Sequence, residues 1–196
     1  MRRIMTGALL VGMVLVSAPA LAGGPCCDKA KAENAWCSGC NQGFMFNVTI
    51  AKKVLYDALA GMAPSATCEG CKKAAETGGI CEKCHVGIAG GKAYKAMPAY
   101  YVASGKKVDP ASVKCEACAA MCKSGVSGWC DKCKGGLVAG YGFKEREKYD
   151  KATNGLITIQ LAEKSPCEGC SVAMVTDGTC EHCKITFKDG KPAKGS

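Results

Sequence analysis

Cysteine is the residue type in this chain whose spacing spells out a chemistry. Cys68-Glu69-Gly70-Cys71 is followed by nine residues and then Cys81-Glu82-Lys83-Cys84. The same C-x2-C…C-x2-C unit returns as Cys115/Cys118 with Cys130/Cys133, eleven residues apart, and as Cys167/Cys170 with Cys180/Cys183, nine apart. A degenerate copy stands first: Cys26 and Cys27, nine residues, then Cys37 and Cys40. Four per copy accounts for all but one of the 17 cysteines, and alignment of the copies makes Cys122 the spare. The third cysteines recur at 44, 49 and 50 residues, the signature of a repeat.

A C-x2-C turn puts two sulfurs on one side of a tight loop. Two such loops facing each other make a four-thiolate site, the geometry that zinc accepts most readily. Each unit resembles a zinc ribbon, or short four-cysteine zinc finger, over its knuckles. The resemblance implies four ligand sets: Cys26 or Cys27 with Cys37 and Cys40; Cys68, Cys71, Cys81 and Cys84; Cys115, Cys118, Cys130 and Cys133; and Cys167, Cys170, Cys180 and Cys183. It implies zinc in a structural, non-catalytic role, since four thiolates leave no open position for water. The same sulfurs can hold one iron. The first set lacks the regular pair, because Gly24 stands where C-x2-C needs a cysteine.

Three other chemistries compete. Disulfides suit a secreted cysteine-rich chain, but a C-x2-C pair closed on itself is a strained ring. Haem is suggested by Cys81-Glu82-Lys83-Cys84-His85, a literal c-type attachment motif, with Met97 as a distal ligand. Asn41, Lys134 and Lys184 occupy the histidine position in the other copies, which marks His85 as an incidental neighbour of a knuckle. A thiol oxidoreductase needs a βαβ frame for which no unit has room. No phosphate loop and no Ser-His-Asp set is present, and the chain has two histidines, so the expectation is a non-enzyme. The lysines that crowd the knuckles (Lys72, Lys73, Lys83, Lys114, Lys123, Lys132, Lys134, Lys184) either lower thiol pKa or simply solubilise the surface. Trp36 and Trp129 each precede a third cysteine and are expected to cover the sulfur centre.

The elements that must position these residues are short. Residues 1–22 read as a signal peptide: Arg2-Arg3, an apolar run, and Ala20-Leu21-Ala22 before the cut. This predicts a periplasmic or secreted protein with no stable membrane insertion after cleavage. The rest divides into a degenerate module at 23–50, a linker helix with the second module at 51–99, the third at 100–152, and the fourth with a disordered tail at 153–196. Gly43, Gly87 and Gly136 stand three residues after the last cysteine and are expected to turn the chain with positive φ. Gly90-Gly91 and Asp189-Gly190, between short apolar runs, predict β-hairpins. Thr49 is expected to cap a helix over 50–60, with Val54, Leu55, Ala58 and Leu59 on one stripe. Phe143 to Ala152 is helix-permissive, with Asn154-Gly155 as a stop; Leu156 to Leu161 fits strand or helix. Pro98, Ser104-Gly105 and Pro110 mark a loop-like linker.

The predicted fold class is therefore tandem β-hairpin units of zinc-ribbon type, stapled by metal or disulfides, without one large core. Charge bears on partners. Without Arg2 and Arg3, 24 Lys+Arg face 17 Asp+Glu. Four tetrathiolate zinc sites, each about −2, bring the total from +7 to about −1, which argues against nucleic acid. The expected partners are metal ions and an extracytoplasmic protein. The function classes left are a binding scaffold and soft-metal handling.

Overall fold

The computed structural model describes residues 25–193, the side chains of residues 25 and 26 excepted. The expected signal peptide lies outside the described residues. Each module runs helix, knuckle, hairpin. Module 1 comprises α1 (Pro25–Glu33), β1 (Trp36–Cys37), β2 (Gln42–Met45) and β3 (Val48–Ile50), and leads into α2 (Lys53–Leu59). Module 2 comprises α3 (Glu69–Thr77), β4 (Gly79–Cys81), β5 (Val86–Ala89) and β6 (Lys92–Tyr94), and leads into α4 (Met97–Ala103). Before module 3, β7 (Lys106–Lys107) and a 3-10 turn (Pro110–Ser112) intervene. Then come α5 (Glu116–Ser124), β8 (Gly128–Cys130), β9 (Gly135–Val138), β10 (Tyr141–Phe143) and the long α6 (Arg146–Lys164). Module 4 comprises α7 (Glu168–Thr176), β11 (Thr179–Cys180), β12 (Ile185–Lys188) and β13 (Lys191–Pro192).

Each module builds an antiparallel three-stranded sheet in sequence order; in module 3, β7 adds a fourth strand beside β10. All four hairpins close on two residues with positive φ: Phe46-Asn47, Gly90-Gly91, Ala139-Gly140 and Asp189-Gly190. Such turns match the right-handed twist of the strands. The expected hairpins at Gly90-Gly91 and Asp189-Gly190 are present. The expected disordered tail is strand at Lys191–Pro192, and residues 194–196 lie outside the described ones.

The modules are not beads on a string. Leu55 and Leu59 of α2, Ala99 and Val102 of α4, Ala152, Ile159 and Ala162 of α6, and Val175 of α7 share one apolar core with Phe46, Ile50 and Val138. Smaller clusters of cysteine and alanine with a few larger apolar side chains surround the sulfur groups of modules 1, 2 and 4. A module too small to bury enough apolar surface contributes its linker helix to a common interior instead.

Several local expectations give way to this core. Thr49 lies in β3, and Lys52 precedes α2 without a side-chain cap. Leu55 and Leu59 are buried as expected, while Val54 is 45% exposed. Pro98 sits in the first turn of α4, where a missing N–H costs nothing. Asn154-Gly155 does not stop α6, which continues through Leu156–Leu161 to Lys164. Gly155 is buried where α6 crosses α4, and a β-carbon there would lie 2.6 Å from the Pro98 carbonyl oxygen. The glycine permits a close helix contact rather than ending the helix. Glu147 pairs with Lys151, and Glu145 with Lys148, on the exposed face of the helix.

Gly43, Gly87 and Gly136 are not at positive φ either. The left-handed residue is two positions earlier, directly after each last cysteine: Asn41 (φ 51°), His85 (51°), Lys134 (50°) and Lys184 (57°). The glycines are bare for a different reason. The ring of a tyrosine in the following helix lies on each: Tyr56 on Gly43, Tyr100 on Gly87, Tyr149 on Gly136.

Candidate metal centres

The first cysteine pair of modules 2, 3 and 4 opens a helix. Cys68, Cys115 and Cys167 are N-cap residues with extended backbone, and Cys71, Cys118 and Cys170 follow in the first turn. Orphan amides and the positive end of the helix dipole there favour negative charge on sulfur. The second pair occupies the knuckle between the first two strands. Cys81 ends β4 and Cys84 lies in the turn; Cys130/Cys133 and Cys180/Cys183 repeat this placement. The left-handed residue after the knuckle folds the chain back onto the next strand.

Three groups of four sulfurs result: Cys68, Cys71, Cys81, Cys84; Cys115, Cys118, Cys130, Cys133; and Cys167, Cys170, Cys180, Cys183. Within each, every Sγ lies within 4.8 Å of every other. Cys68 and Cys81 are 3.7 Å apart, Cys84 and Cys68 3.5 Å, Cys167 and Cys180 3.7 Å, and Cys115 and Cys130 4.0 Å. A tetrahedron with metal–sulfur bonds of about 2.3 Å has sulfur–sulfur edges of about 3.8 Å. A disulfide needs about 2.05 Å. The donor type, number and spacing thus fit a four-coordinate thiophilic ion, and zinc and iron fit equally.

In module 1, Cys27, Cys37 and Cys40 form a group of three, with Cys27 at 3.8 Å from Cys37 and 3.1 Å from Cys40. Of the two cysteines offered for this set, Cys27 joins it. Cys26 belongs to the first turn of α1, and its side chain lies outside the described part. Cys122 lies in α5, outside its neighbours' group.

The thiols are electrostatically unequal. The Cys71 amide and then the Cys84 thiol push Cys68 down to about 6. The Cys118 amide does the same for Cys115, and the Cys170 amide for Cys167, both to about 6. Their partners move the other way. Hydrogen bonding to Cys68 pushes Cys84 up to about 12, and burial raises Cys71, Cys118 and Cys170. In each group of four, one thiol is thus lowered while neighbours are raised, because the same hydrogen bonds favour charge on one sulfur and the proton on the others. Amides and thiols cause these shifts; Lys72 and Lys184 pair instead with Glu69 and Glu181.

The haem motif resolves in the same geometry. Cys81 and Cys84 are both drawn into the four-sulfur group, and His85 holds the left-handed position of Asn41, Lys134 and Lys184. The tryptophans pack on tyrosine rings. Trp36 packs against Tyr56 at 5.4 Å between centroids and Trp129 against Tyr149 at 5.3 Å. Lys53 lies over the first pair and Arg146 over the second. This cation–Trp–Tyr–Gly stack anchors α2 and α6 on their sheets, whereas module 2 has Ile80 at the Trp position and keeps the Tyr100–Gly87 contact. Sequence reasoning missed the tyrosines, although each follows its glycine by thirteen residues. Module 4 has Thr179 and Thr186 at the Trp and Gly positions, and their hydroxyls bond to each other at 2.9 Å.

Among the described residues, no helix is long and apolar enough to cross a membrane. Comparison with protein-family models, with curated proteins and with solved structures gave no match.

Proposed function

We propose that this chain is an extracytoplasmic, non-enzymatic metal-binding protein that takes up and releases soft metal ions, zinc first among them, at its cysteine groups. The observation that carries this reading is the gathering of four sulfurs at tetrahedral spacing in three successive modules, with a fourth group of three. Two features favour handling over a purely structural role. Cys84, Cys133 and Cys183, the last ligand of each complete group, are exposed to solvent. The shared core is made of apolar side chains of the linker helices and hairpins, apart from the sulfurs. Loss of an ion therefore loosens a peripheral knuckle without removing the interior. Each thiol must lose its proton to bind a metal, so loading is pH-dependent. The localisation rests on the residue pattern of positions 1–22.

The test is stepwise chelation of the zinc-loaded protein, followed by near- and far-ultraviolet circular dichroism. The handling role predicts metal loss with the Tyr and Trp environment of the core retained. Global unfolding as the metal leaves would assign the ions a structural role in a binding scaffold instead. A chain that binds no zinc contradicts both.

A further inference from the structure

The three complete sulfur groups are not held equally, and that of module 3 is held least. In α3, Cys71 and Ala74 are buried; in α7, Cys170, Ser171, Ala173 and Val175 are. The corresponding helix of module 3, α5, buries none of its residues. Cys68 and Cys71 are buried, whereas Cys115 and Cys118 are both half-exposed. The loop between the pairs is longer by two residues, and the Cys115–Cys130 separation of 4.0 Å exceeds the 3.7 Å of its counterparts. A helix with few buried contacts opens locally at lower free energy than one anchored in a core.

Module 3 also carries the spare thiol. Cys122 is four residues beyond Cys118 in α5, so both lie on one face, one turn apart. The corresponding residues are Lys31, Ala75 and Met174 in modules 1, 2 and 4. Cys122 is half-exposed, as Cys118 is. Among the modules with a complete group of four, only module 3 carries a fifth cysteine.

Building on the metal-handling reading, we propose that the third group, Cys115, Cys118, Cys130 and Cys133, is the port through which metal exchanges, and that Cys122 is its relay ligand. When α5 loosens, Cys122 gives up its proton and supplies a thiolate as Cys118 lets go and takes a proton. The number of thiolates in the group stays at four and no electrons move. Release follows when the donor atoms of an acceptor, a chelator in the test below, replace these thiolates one at a time and each freed sulfur takes a proton from water, so the metal is never left three-coordinate.

The experiment is time-resolved alkylation of the zinc-loaded full chain in limiting chelator, with each cysteine followed by mass spectrometry. A stopped-flow record of zinc appearing in a chromophoric chelator accompanies it. The port predicts that Cys115, Cys118, Cys130 and Cys133 become alkylated first, roughly tenfold faster than the groups of modules 2 and 4. It predicts that Cys122→Ser slows the fastest phase of zinc release several-fold, with zinc content and melting temperature unchanged. Uniform alkylation of all groups, or a Cys122→Ser chain that releases zinc at the wild-type rate, overturns the proposal while leaving metal binding intact. A chain that never loads zinc overturns the underlying reading instead, and the initial zinc content distinguishes the two failures.

Discussion

The ring of Tyr100 rests on the bare backbone of Gly87, so close that a β-carbon on the glycine would fall 2.1 Å from the ring. Tyr56 on Gly43 and Tyr149 on Gly136 repeat the contact, with virtual β-carbons 2.4 Å and 2.2 Å away. Each contact fastens a linker helix onto the sheet that carries a cysteine knuckle. It is the joint between the sulfur periphery and the apolar interior.

Gly87→Ala is therefore expected to destabilise the protein by about 1–3 kcal/mol, the range for forcing extra volume into a packed site. Thr186→Ala, at the same repeat position in module 4, should cost under ~1.5 kcal/mol, the worth of its hydroxyl bond to Thr179. Denaturant melts of the two variants check the contrast.

Gly155→Ala sets two effects against each other. Helix propensity favours alanine by about 1 kcal/mol. The new methyl would meet the Pro98 carbonyl oxygen at 2.6 Å, and that neighbour is backbone, which cannot swing aside. The collision is expected to win, with a lower melting temperature. Asn154→Ala, on the exposed side of the same turn, should leave stability unchanged or slightly raised.

The thiols predict how the reduced, metal-free protein responds to pH. Cys68, Cys115 and Cys167, held near 6, should be the first residues alkylated at pH 7, and that preference should vanish below pH 6. Their lowered values contribute stability that is full above the unfolded thiol range and is lost as pH falls through 6. Cys84, raised to about 12, contributes in the opposite sense: its share is full below the unfolded range and is lost as pH rises toward 12. Metal uptake must displace the protons on Cys71 and Cys84, so affinity should weaken as pH falls. Residue-resolved alkylation and zinc titrations across pH 5–9 read both effects.

What the sequence disclosed follows from range. The sulfur groups and the hairpins at Gly90-Gly91 and Asp189-Gly190 are written in residues a few positions apart, so spacing alone reveals them. The shared core is not local: Leu55, Val102 and Ile159 come from three different linkers, and no periodicity within one linker announces the others. Asn154-Gly155 carries a local stop signal that the crossing of α4 and α6 overrides. Gly43, Gly87 and Gly136 suggested a turn, whereas a tyrosine thirteen residues on requires the space. That recurrence was present in the sequence, but its meaning depends on the helix folding back over the sheet.

The most direct test is X-ray absorption at the metal edge, with metal content per chain, on protein purified from its native compartment without reductant. The account predicts three to four ions per chain with a shell of sulfur alone, four atoms at about 2.3 Å, and no disulfide-bonded peptides among the twelve ligand cysteines of modules 2 to 4. Metal-free protein whose paired cysteines are joined as disulfides would contradict it.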